Sequence, residues 1–155
     1  MKKIILLLLL SVIVAFQSCV DSSATFPEET DGVFYGKLTV GDYTEDGIGI
    51  SITENSDHTV ELFFDDVKFA KAMPLRIDMT VKAIPCTKVE DILEFSATDI
   101  DPYMNKEPGP QPGYRLSRIS GMVIAGELRL NAKMADDLKG SRAGMQFTFE
   151  GVRKE

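Results

Sequence analysis

Tryptophan is absent from the 155 residues, histidine occurs once and cysteine twice. A zinc site takes three or four His, Cys or carboxylate ligands, and one histidine with one distant cysteine does not suggest such a set. A hydroxyl nucleophile needs a base within hydrogen-bond reach. The single His58 stands beside the polar turn Asn55-Ser56-Asp57, and no Gly-x-Ser-x-Gly elbow occurs. Basic charge is scarce: 17 Lys and Arg face 24 Asp and Glu, a net charge of −7. Without residues 1–18, which carry Lys2 and Lys3, 15 basic residues face 24 acidic ones, a charge of −9. Such a surface repels phosphate backbones and argues against nucleic acid as a partner. There is no glycine-rich phosphate cradle. With 44% hydrophobic and 26% charged residues, 12 Gly and 7 Pro, the chain is neither collagen-like, mucin-like nor wholly disordered. These absences point to a protein that is not an enzyme and needs no cofactor or metal.

Long apolar runs are also lacking, with one exception. Met1-Lys2-Lys3 opens the chain, and Ile4 to Phe16 follow, broken only by Ser11. Those 13 residues match a signal-peptide core and are short for a membrane span of about 20 residues. The run ends at Phe16-Gln17-Ser18-Cys19, a small residue directly before a cysteine, which resembles a bacterial lipobox. The resemblance implies that Cys19 is lipidated and that the peptide is cut before it. The other reading is a secretory signal cleaved near Ser18 or Ser22 with an incidental cysteine. Residues 19–31 are polar and acidic and read as a tether. Val20, rather than Asp, follows Cys19, which by analogy with lipoprotein sorting favours the outer membrane. The membrane, reached through the lipid anchor, is therefore the first expected partner. With Cys19 used for lipid, Cys86 is left alone and no intramolecular disulfide forms.

From Gly32 onward the dominant period is two. Ile48, Ile50 and Ile52 alternate with Gly49, Ser51 and Thr53, and Val60, Leu62 and Phe64 with Thr59, Glu61 and Phe63. Leu75, Ile77, Met79, Val81 and Ala83 form a third oily face. Leu128, Leu130, Ala132 and Met134 form a fourth, and Met145, Phe147 and Phe149 a fifth. One wet face and one apolar face mean antiparallel strands. Eight are expected, near 33–40, 47–54, 58–64, 75–84, 91–100, 114–123, 127–134 and 144–152. Asp65 to Met73 either continues a strand or makes a short helical turn. Asp101 to Gly113 holds four of the seven prolines and reads as a long loop outside any central ladder. Eight sequential strands remove their edges by closing into an up-and-down β-barrel, with a two-sheet sandwich as the competing all-β architecture.

Over residues 32–152 the chain resembles the calycin-like (lipocalin-like) domains that follow lipoprotein signals in Gram-negative gut bacteria. Phe34-Tyr35-Gly36-Lys37-Leu38, Thr59-Val60-Glu61-Leu62, Ile119-Ser120-Gly121-Met122-Val123, Gly126-Glu127-Leu128-Arg129-Leu130 and Phe147-Thr148-Phe149-Glu150-Gly151 carry the likeness. It implies a barrel over residues 32–155 and no established activity. Gly32-Val33-Phe34 sets Phe34 where lipocalins carry the tryptophan that plugs the closed end, and by the same analogy Arg153 packs over it.

Two roles follow, both non-catalytic. In the first, the barrel binds a small apolar or amphipathic ligand against Ile50, Leu62, Phe64, Ile77, Met79, Phe95, Leu130, Met134, Met145 and Phe147. In the second, the core is full and Tyr103, Met104 and Tyr114 meet an envelope protein or a glycan. An apolar void above roughly 300 Å³, open at one end, favours the first. Asp99, Asp101, Asn105 and Glu107 loosely suggest a cation loop, but Met104 and Pro110 occupy positions where an EF-hand needs Gly and a bidentate acid.

Overall fold

The period-two segments become strands in the computed structural model, which describes residues 30–105 and 107–154. They are β1 (Gly32–Val40), β2 (Tyr43–Asn55), β3 (Thr59–Val67), β4 (Ile77–Val89) and β5 (Ile92–Ile100). A two-residue β6 (Tyr103–Met104) follows, then β7 (Leu116–Ile124), β8 (Glu127–Met134) and β9 (Gln146–Arg153). Each long strand pairs antiparallel with the next long one, and β9 returns to β1 from Phe34 opposite Arg153 to Val40 opposite Phe147. The eight long strands thus close into one up-and-down barrel, and the sandwich is excluded. The predicted signal peptide, Cys19 and most of the predicted tether lie outside the described residues.

Alternation places one face of every strand inside. Phe34, Leu38, Ile50, Leu62, Phe64, Met79, Leu93, Leu116, Phe147 and Phe149 are all fully buried. Phe64 meets Phe147 edge-to-face at 6.0 Å, and Phe69 tilts onto Phe147 at 4.9 Å. Glycine in the wall makes room for this aromatic mass. The Phe95 ring lies against Gly121, and the Phe149 ring against Gly151. At Gly36 a Cβ would run into the backbone of Glu150 and Gly151.

Two parts of β4 depart from the expected period. Leu75 precedes the strand and is exposed, so it joins no inner face. Ala83 takes φ 55°, and the register shifts between Val60–Ile84 and Leu62–Val81. This bulge hands the inward position to Ile84 and turns Ala83 out to solvent. The proline-rich segment is also more ordered than a loop. β5 pairs with β4 only from Cys86–Phe95 to Val89–Ile92, and β6 pairs with Met79 and Thr80 farther along the same edge of β4. Two proline-free residues suffice for that short ladder, and the prolines flank it. Residues 65–67 continue β3, and Lys68 to Arg76 then form turns.

The two ends of the barrel differ. Three tight turns, between Asn55 and Thr59, Val89 and Ile92, and Ile124 and Glu127, close one end, using left-handed His58, Glu90 and Ala125. The long connections 68–76, 101–115 and 135–145 gather at the other.

Candidate functional site

The closed end is locked from within. Phe34 is fully buried, and the Arg153 guanidinium lies 5.6 Å from its ring centre, as the family analogy implied. Arg153 also donates to the Asp31 carbonyl. Thr30, the last part of the expected tether, is buried and donates to Glu54, while Lys88 Nζ reaches both Thr30 Oγ1 and Glu54 Oε2 at 3.0 Å. The hydrogen bond from Lys88 holds the Glu54 carboxyl below the usual carboxylate range, against the opposing effect of burial. The chain therefore enters the barrel at a fixed point on the closed end.

The open end is built differently. A hollow of about 360 Å³ sits between the 68–76 segment, the start of β4, and the 112–114 and 135–145 connections. Phe69, Ile77, Met134 and Met145 line it, Ala70, Ala72, Met73 and Pro74 flank it, and Tyr114, Ser141 and Arg142 bring the polar atoms. The Arg142 guanidinium stacks 4.7 Å from the Tyr114 ring centre. Apolar walls with a few convergent polar groups suit an apolar or amphipathic molecule, and unbranched methionine adapts to irregular shapes. A wider depression of about 590 Å³ lies outside the wall where β4 and β5 part, lined by Ala83, Pro85, Ser96, Thr98, Asp99 and Arg118. It is open to solvent, and Ser96, Thr98, Asp99 and Arg118 supply its polar groups.

The ten residues expected to face a ligand divide. Ile77, Met134 and Met145 line the hollow. Ile50, Leu62, Phe64, Met79, Phe95, Leu130 and Phe147 belong to the buried cluster inside the barrel. The hollow is a product of how three loops stack, which strand periodicity does not report. Phe69, Met73 and Arg142 were missed for that reason, although Met73 closes the 70–73 turn with its N–H on the Ala70 carbonyl.

Of the alternative surface group, Met104 alone is corrected. Met104 is buried beside Met79 through the β4–β6 pairing and presents nothing to a partner. Tyr103 is half-buried under Lys82, whose Nζ is 4.9 Å from the ring, and Tyr114 belongs to the hollow. Asp101 is paired with Arg115 at 2.8 Å, and the Asn105 side chain accepts from the Asp78 N–H. Among the described residues no three His, Cys, Asp or Glu side chains converge. His58 sits in the β2–β3 turn, at the far end from the hollow. Burial, with Glu54 and Asp57 nearby, pushes the Cys86 thiol above its usual value and away from nucleophilic use.

The fold is similar to that of a "putative outer membrane protein" from Bacteroides fragilis, with a TM-score of 0.53 and 19% sequence identity. The match covers 80% of this chain and 51% of that one, so the chain spans about half the length of that protein. No family model matches the sequence, and no curated protein matches it.

Proposed function

We propose that this protein is a lipid-anchored, non-catalytic envelope protein whose barrel takes a small apolar or amphipathic molecule at its open end. The carrying observation is the roughly 360 Å³ apolar hollow at the mouth of the barrel, with Arg142 and Tyr114 placed at its polar side. The volume suits a small ligand. Arg142 suits an anionic head group, and the methionines suit a flexible chain. The lipobox-like Ser18-Cys19 supports the anchor, and the likeness to the Bacteroides fragilis protein agrees with an outer-membrane address. The calycin-like motifs agree with a binding module.

Ala72→Trp tests this without touching the core, because Ala72 is exposed on the flank of the hollow. Titration with dodecanoate is expected to show at least about a tenfold loss of affinity for Ala72→Trp, the loss of over 1.4 kcal/mol that filling an apolar site entails. Arg142→Ala is expected to weaken dodecanoate several-fold and dodecanol little, since only the anion uses the guanidinium. Unchanged dodecanoate binding in Ala72→Trp would remove the hollow from the account.

A further inference from the structure

The most exposed large apolar side chains are not scattered. Val33, Tyr35, Val89, Ile124 and Val152 are 39%, 44%, 62%, 37% and 58% exposed, and all five stand near the closed end. Leu75, at 72%, is on the opposite end. Pairing links four of them, and Val33 stands two residues from Tyr35 on the same strand. Tyr35 is opposite Val152, Val152 opposite Glu127, and Glu127 opposite Ile124. Leu93 opposite Val123 sets Ile124 beside Ile92, which is opposite Val89. The outer wall at this end therefore carries an apolar belt crossing β1, β9, β7, β5 and β4, with Glu127, ion-paired to Arg129, on β8 and the Lys154 ammonium 5.3 Å from the Tyr35 ring centre as its charged members. Single exposed apolar residues need no explanation, whereas a continuous belt marks a contact surface.

We infer that this belt rests on the lipid surface that holds the anchor. The inference rests on the proposed lipidation of Cys19. The described chain begins at Thr30, clamped to this same end by Glu54, Lys88 and Arg153 through Asp31. Cys19 is eleven residue steps away, and even a fully extended chain of that length spans no more than about 40 Å. The closed end is thereby confined near the bilayer at an effective concentration on the order of millimolar, where weak contacts suffice to orient a domain. At this end Lys88, Arg153 and Lys154 stand against Asp31, Glu54, Asp57, Glu90, Asp91 and Glu127, so charge does not draw it to an anionic lipid surface and the contact is apolar rather than electrostatic. The consequence is an orientation: closed end down, hollow facing away from the membrane.

The chain has no tryptophan, which makes single reporters clean. Val152→Trp, Val89→Trp and Leu75→Trp are each placed in the full lipidated chain. Each is reconstituted into vesicles of phosphatidylethanolamine and phosphatidylglycerol, with or without bromine near the glycerol end of the acyl chains. Flotation is scored alongside fluorescence. The expected result is blue-shifted emission, quenched by about half, at 152 and 89, as for side chains seated at the head-group boundary, with Leu75→Trp unaffected. A chain that floats but shows equal, weak quenching at all three positions overturns the inference and leaves the anchor standing. A chain that does not float overturns both. A blue shift without lipid that grows with protein concentration assigns the belt to a second copy of the chain and also overturns the inference.

Discussion

Gly36→Val is expected to lower the stability of the barrel by about 3 kcal/mol or more, the upper range for forcing extra atoms into a closed packing. Gly36 faces inward at the β1–β9 seam, opposite Gly151, where the ring of strands closes. A side chain there meets the Glu150 carbonyl and the Gly151 backbone, so no rotamer relieves the clash and the two strands have to part. Parting costs the seam its ladder as well as its packing. The neighbouring Lys37→Val supplies the control, because Lys37 points to solvent and such positions change stability by no more than about 0.5 kcal/mol. Thermal unfolding should show Gly36→Val melting about 10 °C or more below the parent, with Lys37→Val close to it. Equal melting temperatures would mean that the strands do not close at this seam.

Cys19→Ser is expected to abolish membrane attachment by lipid. Each buried methylene contributes about 0.8 kcal/mol, a single acyl chain holds a protein only marginally, and several chains hold it firmly. A serine hydroxyl in place of the thiol removes the site at which those chains are added. Mass spectrometry of the mature amino terminus should find a lipid adduct on the parent and none on Cys19→Ser. Flotation should leave the variant out of the lipid-anchored fraction. A lipid adduct elsewhere in Cys19→Ser would contradict the lipobox reading. The tether geometry sharpens the expectation, since Thr30 and Asp31 bring the chain out at the closed end and leave the hollow at the other.

The strands that were legible in the sequence are those whose alternation is uninterrupted. Ile48-Ile50-Ile52, Val60-Leu62-Phe64 and Leu128-Leu130-Ala132-Met134 each point inward as their period implies. In β4 the period breaks at Ala83, because one left-handed residue inserts a bulge and leaves no compositional trace. β6 was hidden among prolines: two residues suffice to pair where β5 has left β4, and no two-residue pattern announces that. Phe34 and Arg153 were found only through the family likeness, and their contact across the closed end agrees with it. The hollow was legible in part. Met134 and Met145 carry it from the strand pattern, whereas Phe69, Met73 and Arg142 come from connections whose stacking depends on long-range contacts.

The central claim is that the middle of the barrel is solid and that binding takes place at its mouth. Methionine methyl groups report on both regions in one spectrum. Met73, Met134 and Met145 surround the hollow, Met79 and Met104 lie in the core, and Met122 sits on the β7 wall away from the hollow. In carbon-13 methyl spectra recorded as dodecanoate is added, the account predicts that Met73, Met134 and Met145 shift together while Met79, Met104 and Met122 hold still. A shift led by Met79 with Met73 and Met145 silent would place the ligand inside the barrel and contradict it.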